Sequence, residues 1–255
     1  MLRMLAVGVV IAVLWDIWGE RRQGSSQPPL LAYGEQPTRN DWPPLEQVEE
    51  NFSDPRDLLK SNYYVILDGS QEMAQRGCSS SGSKFGDAVQ ALAAFIDAVP
   101  EDANLGVMAI NHGRLIELAP LQGETRIDTQ ALGRLSAAGN APLRSAIFRA
   151  DEQLTRQAQR QLGYGEYHLV VISGGSVSPG EEPAEVMRRL LNDSPLNLYF
   201  ISLCGGANDA LNGPGLGLFY HAAGNYAALQ QALSAVLDDT PASTAENHLA
   251  PLAVE

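Results

Sequence analysis

The chain has 255 residues, of which 30 are acidic and 17 basic, giving a formal net charge of −13. This length is enough for one sizeable domain with appendages, and the ordinary globular composition excludes fibrous and wholly disordered proteins. The acidic balance argues against nucleic-acid binding, which requires a basic surface. Cys78 and Cys204 are too few for a cysteine-rich metal site, but they can form one disulfide in an oxidising compartment.

The first 18 residues are typical of a targeting segment. Arg3 precedes an apolar run over residues 4–15, and the residues that follow lack the small side chains of a signal-peptide cleavage site. We therefore predict an uncleaved membrane anchor or signal over 1–18, although the run is short for the ~20 residues that a bilayer core requires. A buried amphipathic helix is the alternative, but the segment has no polar face. We expect a single-pass membrane protein whose soluble domain is extracytoplasmic.

Residues 19–62 are rich in proline, glutamine, serine, glycine and acidic side chains, which is typical of an extended tether. Within this segment Leu45, Val48 and Phe52 follow Trp42 at helical spacing. A short apolar patch more often packs than recruits, so we expect it to dock on the chain's own domain rather than on a partner. At the other end, residues 238–255 are polar and acidic and are predicted to form a disordered tail.

Residues 63–237 alternate short apolar runs with amphipathic segments. Strands are predicted at 63–67, 105–110, 114–121, 167–172, 198–203 and 216–222. Helices are predicted after the cap residue Ser83, after Asp128 or Thr129, from Pro142, from Pro183 and over 226–237. This alternation predicts an α/β fold with a doubly wound, mainly parallel sheet, one antiparallel edge strand and helices on both faces.

Ligands of open α/β sheets bind at the carboxyl ends of the strands. The first strand ends there in DGSQEM, which places Asp68, Ser70 and Glu72 in a glycine-containing turn. The loops after Ile172 and after Leu203 open on the same side of the sheet. We therefore predict that this carboxyl-terminal rim is the functional face.

These motifs resemble those of von Willebrand factor type A domains over nearly the whole of 63–237. The first strand of that family ends in D-x-S-x-S, usually followed by Met, and here the string over 68–73 is DGSQEM. The family's S-K-F, G-G-T-P-L and T-D-G motifs correspond here to SKF at 83–85, GNAPL at 139–143 and SGG at 173–175. Because order, spacing and strand context agree, the resemblance implies the Rossmann-like fold of this family.

In that family these loops form a metal-ion-dependent adhesion site, which holds a divalent cation, usually Mg²⁺. Carried over by motif, Asp68 and Ser70 match the family's ligands, whereas Glu72, Ala141 and Gly174 replace a serine, a threonine and an aspartate. Two of these replacements remove every side-chain oxygen, and Mg²⁺ requires a nearly ideal octahedral oxygen shell. The resemblance therefore implies a degenerate site, and we expect no bound cofactor or metal.

Two functions are compatible with a degenerate site. The first is a membrane-tethered protein-protein interaction module that binds its partner through the rim loops without a metal. The partner-binding residues would be Asp68, Ser70, Glu72, Asn140, Ala141, Gly174 and Ser176. The alternative is a Mg²⁺-dependent adhesion or sensor domain, with the cation in a rearranged site of Asp68, Ser70 and Glu72 beside Asn140.

Two further interpretations concern the same rim. If the fold is that of the family, Cys78 in the first loop and Cys204 after a later strand could form a disulfide, provided that their Cα atoms lie within about 7 Å. Otherwise Cys204 is a small buried apolar residue. Catalysis is not expected, because the chain has neither a G-x-S-x-G elbow nor a visible pairing of histidine with a carboxylate.

Overall fold

The structure, a computed structural model, describes residues 41–44, 55–122, 127–175, 177–205 and 218–238. The predicted anchor at 1–18, the patch of Leu45, Val48 and Phe52, and all of the predicted tail except Asp238 lie outside these residues. Within the described ranges, no helix combines the length and the hydropathy needed to cross a membrane.

The described strands form one six-stranded sheet in the order β3-β2-β1-β4-β5-β6. They are β1 (Ser61–Leu67), β2 (Asn104–Asn111), β3 (Arg114–Gln122), β4 (Glu166–Ser173), β5 (Asn197–Leu203) and β6 (Phe219–Ala223). Neighbouring strands are parallel except β2 and β3, which pair antiparallel across the turn at His112 and Gly113. Both turn residues have positive φ, 51° and 73°, as a two-residue hairpin turn requires. The predicted parallel sheet with one antiparallel edge strand is thus confirmed.

Helices cover both faces of this sheet, also as predicted. The helices are α1 (Lys84–Ala98), the short α2 (Thr129–Leu132), α3 (Leu143–Arg160), α4 (Pro183–Asp193) and α5 (Tyr226–Asp238). Alternate residues of β1 point to opposite layers, with Val65 packed on the side of α1 and α5 and Ile66 on the side of α3 and α4. Because β1 is buried on both faces, its sequence is a continuous apolar run.

The starts of α3 and of the last strand differ from prediction. Pro142 is not the first residue of α3 but its cap residue, and it makes no side-chain capping hydrogen bond. Glu181 serves the first turn instead, since its carboxylate accepts from both the backbone N–H and the hydroxyl of Ser145 at 2.9 Å. An acidic side chain at this position also interacts favourably with the helix dipole. The last strand is Phe219–Ala223 rather than the predicted 216–222; Leu218 precedes the strand, and residues 216 and 217 lie outside the described residues.

Part of the predicted tether belongs to the folded domain. The first strand begins at Ser61, two residues before the predicted boundary. Trp42 packs edge-on against Tyr167, with ring centroids 5.0 Å apart, and the Gln159 side-chain amide donates to the Pro44 carbonyl at 2.8 Å. Residues 41–44 therefore dock on the domain, at the end of the sheet opposite the rim.

His168 lies in β4 at the centre of an aromatic stack. Its ring is fully buried, 4.6 Å from the Tyr63 ring and 6.1 Å from the Tyr199 ring, centroid to centroid. No described residue forms a hydrogen bond with either ring nitrogen, and the Glu166 carboxylate lies 3.9 Å from Nε2. Burial lowers the pKa of His168 to about 4, because the charged imidazolium would lose its hydration.

We expect His168→Phe to remove an acid-sensitive component of stability. The ordinary pKa of 6.5 falls to about 4 in the folded state, so the unfolded chain takes up the proton first as the pH falls. The pKa shift of His168 adds its full contribution to the unfolding free energy of the wild type above pH 6.5. The wild type loses this contribution, about 3 kcal/mol in all, as the pH falls towards 4. The unfolding free energies of both proteins can be measured with urea at several pH values. As the pH falls from 6.5 to 4, the unfolding free energy of the wild type should decrease relative to that of the variant.

Other titrating groups are common to both proteins and cancel in that difference. Tyr63→Phe is the matched control, because it alters the same stack without removing a group that titrates in this range. Its difference from wild type should be constant with pH. If the difference in unfolding free energy between His168→Phe and wild type did not change with pH, the acid-sensitive stability could not be assigned to His168.

Candidate functional site

The predicted loops meet at the carboxyl ends of the strands. The Asp68 N–H donates to the Ile172 carbonyl at 2.9 Å, which keeps β1 and β4 paired to their last residues. The Cys204 N–H donates to the Ala223 carbonyl at 2.9 Å and closes the far side in the same way. We call residues 68–84, 138–142, 173–175 and 204–205 the rim.

Asp68 fixes the first turn of the rim. Its side chain is fully buried, and its two oxygens accept from the Ser70 N–H and from the Ser173 hydroxyl, both at 2.8 Å. Burial raises the pKa of Asp68, and these hydrogen bonds partly oppose the rise. A carboxylate in this arrangement pins a turn without a metal. The Ser70 hydroxyl is also buried, and it has no hydrogen-bond partner among the described residues.

Gly69 lets a second loop join the first. A Cβ at this position would overlap the carbonyl oxygen of Ile110 on β2, so the close approach requires glycine. The Gly69 carbonyl accepts from the Ala138 N–H, and the Gly139 carbonyl accepts from the Gln71 N–H, both at 2.9 Å. These two backbone hydrogen bonds hold the segment that contains Asn140 and Ala141 beside the first loop.

Lys84 has a place in the rim that no sequence prediction gave it. It is the first residue of α1, and its side chain is only 5% exposed. Its ammonium lies 2.6 Å from Glu72 Oε1, and the other Glu72 oxygen accepts from the Gln75 side-chain amide at 2.7 Å. A cation opposes the helix dipole at this end of a helix. In the sequence this lysine stands out only as part of the SKF motif at 83–85, and its pairing with Glu72 depends on how the loop before the helix folds back.

The Lys84–Glu72 pair lies where a side chain at Gly174 would point. A Cβ built on Gly174 would stand 3.1 Å from Glu72 Cγ, 3.1 Å from Met73 Sδ and 3.5 Å from Lys84 Nζ. A carboxylate and an ammonium thus occupy the space beside the glycine that the resemblance aligns with an aspartate.

Solved structures share this architecture, whereas no protein-family model and no curated protein matches the sequence. The SpRpn10 VWA domain matches with a TM-score of 0.51 at 16% identity, over 72% of this chain and 96% of that one. An aerotolerance-related membrane protein from Bacteroides fragilis gives 0.54 at 16% identity, over 70% and 98%. A von Willebrand factor type A structure from Catenulispora acidiphila gives 0.53 at 17% identity, over 70% and 42%.

The chain has the von Willebrand factor type A (vWA) fold. At this level of identity the likeness establishes the fold, and the chemistry of the rim has to be judged from the residues of this chain.

The rim residues do not fit the Mg²⁺ shell that the vWA resemblance implies. Ala141 and Gly174 offer no side-chain oxygen, both oxygens of Asp68 already accept hydrogen bonds, and Glu72 is paired with an ammonium. A positive charge at this point also repels a divalent cation. No group of three His, Cys, Asp or Glu side chains in the described part of the chain is placed to hold a metal ion.

The structure brings together most of the predicted partner-binding residues. Asp68, Ser70, Glu72, Ala141 and Gly174 lie in or directly beside the bonded loops, and all five are buried or partly buried. Asn140 is exposed beside them. Ser176 lies outside the described residues.

A disulfide joins Cys78 to Cys204 and so links the first loop to the end of β5. The two Cα atoms are 5.3 Å apart. A Cβ at Gly77, whose φ is +48°, would stand 2.7 Å from Lys84 Cε and 3.2 Å from Cys204 Sγ. The backbone at Gly77 therefore lies close both to the buried lysine side chain and to the disulfide.

Replacing both cysteines by alanine should lower the free energy of unfolding by about 2–4 kcal/mol, because the unfolded chain regains the freedom of a long closed loop. The bridged residues are 126 positions apart. Urea unfolding of the oxidised wild type and the double variant measures this loss. A reducing agent should destabilise the wild type and leave the double variant unchanged, and equal stability of the two oxidised proteins would exclude a contribution from the bridge.

Proposed function

We propose that this chain is a membrane-tethered protein-protein interaction module that binds its partner through the rim without a bound metal. One observation carries the proposal. The turn at Asp68 is intact, while the space beside Gly174 holds the Lys84–Glu72 ion pair rather than a set of cation ligands. The rim thus keeps the loop arrangement of a vWA binding surface with a different charge at its centre.

The membrane tether and the extracytoplasmic location are part of this proposal. The apolar segment at 1–18 supports an anchor, and one of the similar solved structures is described as a membrane protein. The Cys78–Cys204 disulfide supports an oxidising compartment, since disulfides persist in such compartments and are rare in the cytosol.

We propose no catalytic role for the rim. Its buried hydroxyl at Ser173 donates to Asp68, not to a histidine. His168 lies five residues earlier on the same strand, roughly 16 Å away at the rise of a β-strand. An activated serine needs a base within hydrogen-bond reach, and neither of these residues supplies that arrangement.

Photo-crosslinking of the full chain in its native membrane tests where the partner binds. A photoreactive amino acid at Gln71 or Asn140, both exposed on the rim, should give the same discrete protein adduct. The same group at Leu59 or Tyr164, which are 71% and 67% exposed at the opposite end of the sheet, should give none. An adduct only from Leu59 or Tyr164 would place the partner on the other end.

A chelator separates the two candidate functions in the same experiment. Metal-free binding predicts that the Gln71 adduct persists in EDTA and is lost when Asn140 is replaced by arginine, whereas Leu59→Arg should leave it unchanged. Loss of the adduct in EDTA and its return on adding Mg²⁺ would establish the metal-dependent alternative instead.

Deleting residues 1–18 should move the protein from the membrane fraction to the soluble fraction. The apolar run is the only part of the sequence for which we predict membrane insertion, and an anchored helix resists alkaline carbonate extraction. Deleting residues 239–255 is the matched control and should leave the protein in the membrane. Carbonate extraction of the full-length chain, or an N-terminus that mass spectrometry shows to be cleaved, would contradict the anchor.

A further inference from the structure

The ammonium of Lys84 is a buried charge in an unfavourable position. Its side chain is 5% exposed, at the end of α1 where the helix dipole repels a cation. Burying a charge is costly unless it is paired and hydrogen-bonded. Glu72 provides the pairing at 2.6 Å, and it is itself held by Gln75.

The first loop holds this ammonium in one place. The Lys84 N–H donates to the Gln75 carbonyl at 2.9 Å, so the chain folds back on itself at the start of the helix. Gly77 lies so close to Lys84 Cε that a Cβ there would stand at 2.7 Å. The disulfide of Cys78 and Cys204 fixes the loop over the same side chain.

The ammonium of Lys84 also lies close to Gly174, which follows the end of β4. A Cβ at Gly174 would stand 3.5 Å from Lys84 Nζ, which is within reach of a carboxylate built on that Cβ. An acidic side chain restored at this position would therefore pair with Lys84 and would not be available to a metal ion.

We propose that Lys84 is a built-in cation, which takes the place of a divalent ion at the rim and excludes such an ion from it. The ammonium supplies a fixed positive charge to Glu72 beside the Asp68 turn, and this charge does not dissociate as the cation concentration changes. The inference rests on the proposed metal-free use of the rim, and it assigns that property to one residue.

Two chains with restored metal ligands test the role of Lys84. Both carry Glu72→Ser, Ala141→Thr and Gly174→Asp, and one of them also carries Lys84→Met. Calorimetric titration of Mg²⁺ and Mn²⁺ into each purified full-length chain should show at least tenfold tighter binding when Lys84 has been replaced. The matched control carries Lys60→Met in place of Lys84→Met, and it should bind no more tightly than the chain with both lysines.

Affinities that agree within threefold with and without Lys84, including the absence of binding in both chains, would overturn the proposal. That outcome would not change the expectation that the partner adduct persists in EDTA. Loss of the adduct in EDTA would instead overturn the metal-free function itself, so the two failures are distinguishable.

A second measurement does not depend on the folding of the restored chains. Lys84→Ala in the otherwise native protein leaves space for a small cation beside Glu72. Its melting temperature should be lower than that of wild type and should rise with added methylammonium or Mg²⁺, while that of wild type should not. A variant that neither cation stabilises would also overturn the proposal.

Discussion

The ion pair between Lys84 and Glu72 is the interaction on which the rim depends. The carboxylate is partly buried and the ammonium almost fully buried, so removing either partner leaves a charge with little access to water. Such a loss typically costs 3–5 kcal/mol in a fully buried pair, and about 1–3 kcal/mol is reasonable here because Glu72 is 23% exposed. The path of the first loop follows from this pair. The chain leaves the Asp68 turn, presents Glu72, passes over the lysine at Gly77 and returns to start α1 at Lys84 itself.

A fixed internal charge changes what the rim can recognise. A divalent cation with an open coordination position draws a partner carboxylate directly, whereas an ammonium already neutralised by Glu72 has little remaining attraction for one. Under the proposed function, recognition would therefore rest on the exposed parts of the bonded loops, among them Gln71 and Asn140. These residues carry uncharged amides, which suit directional hydrogen bonding more than long-range attraction. The chain already has a net charge of −13, so an additional negative charge at its binding face would add little to the electrostatic attraction of a partner.

The sequence was sufficient for the fold because the relevant patterns are local. Strands buried on both faces are continuous apolar runs, and the hairpin at His112 and Gly113 needs two residues that tolerate positive φ. The start of the domain was misplaced because β1 begins with polar residues, of which Asn62 is fully buried and donates to the Gln161 side chain at 2.7 Å. A buried asparagine whose partner is 99 residues away looks like a loop residue in the sequence. The absence of side-chain oxygens at Ala141 and Gly174 was equally readable, but the pairing of Lys84 was not, since it depends on the irregular path of the loop between Glu72 and the helix.

The disulfide and the ion pair act on the same short loop, and under the proposed function they do together what a metal ion would otherwise do at this end of the sheet. A metal ion links loops from different strands through shared coordination. Here the covalent bond links the first loop to the end of β5, and the Ser173–Asp68 hydrogen bond links β1 to β4. The ion pair then fixes the loop to α1 and fills the space beside Gly174. None of these three links varies with the concentration of divalent ions. Under the proposed metal-free function, the rim is organised by its own residues, and a partner that binds it would meet the same surface whether or not such ions are present.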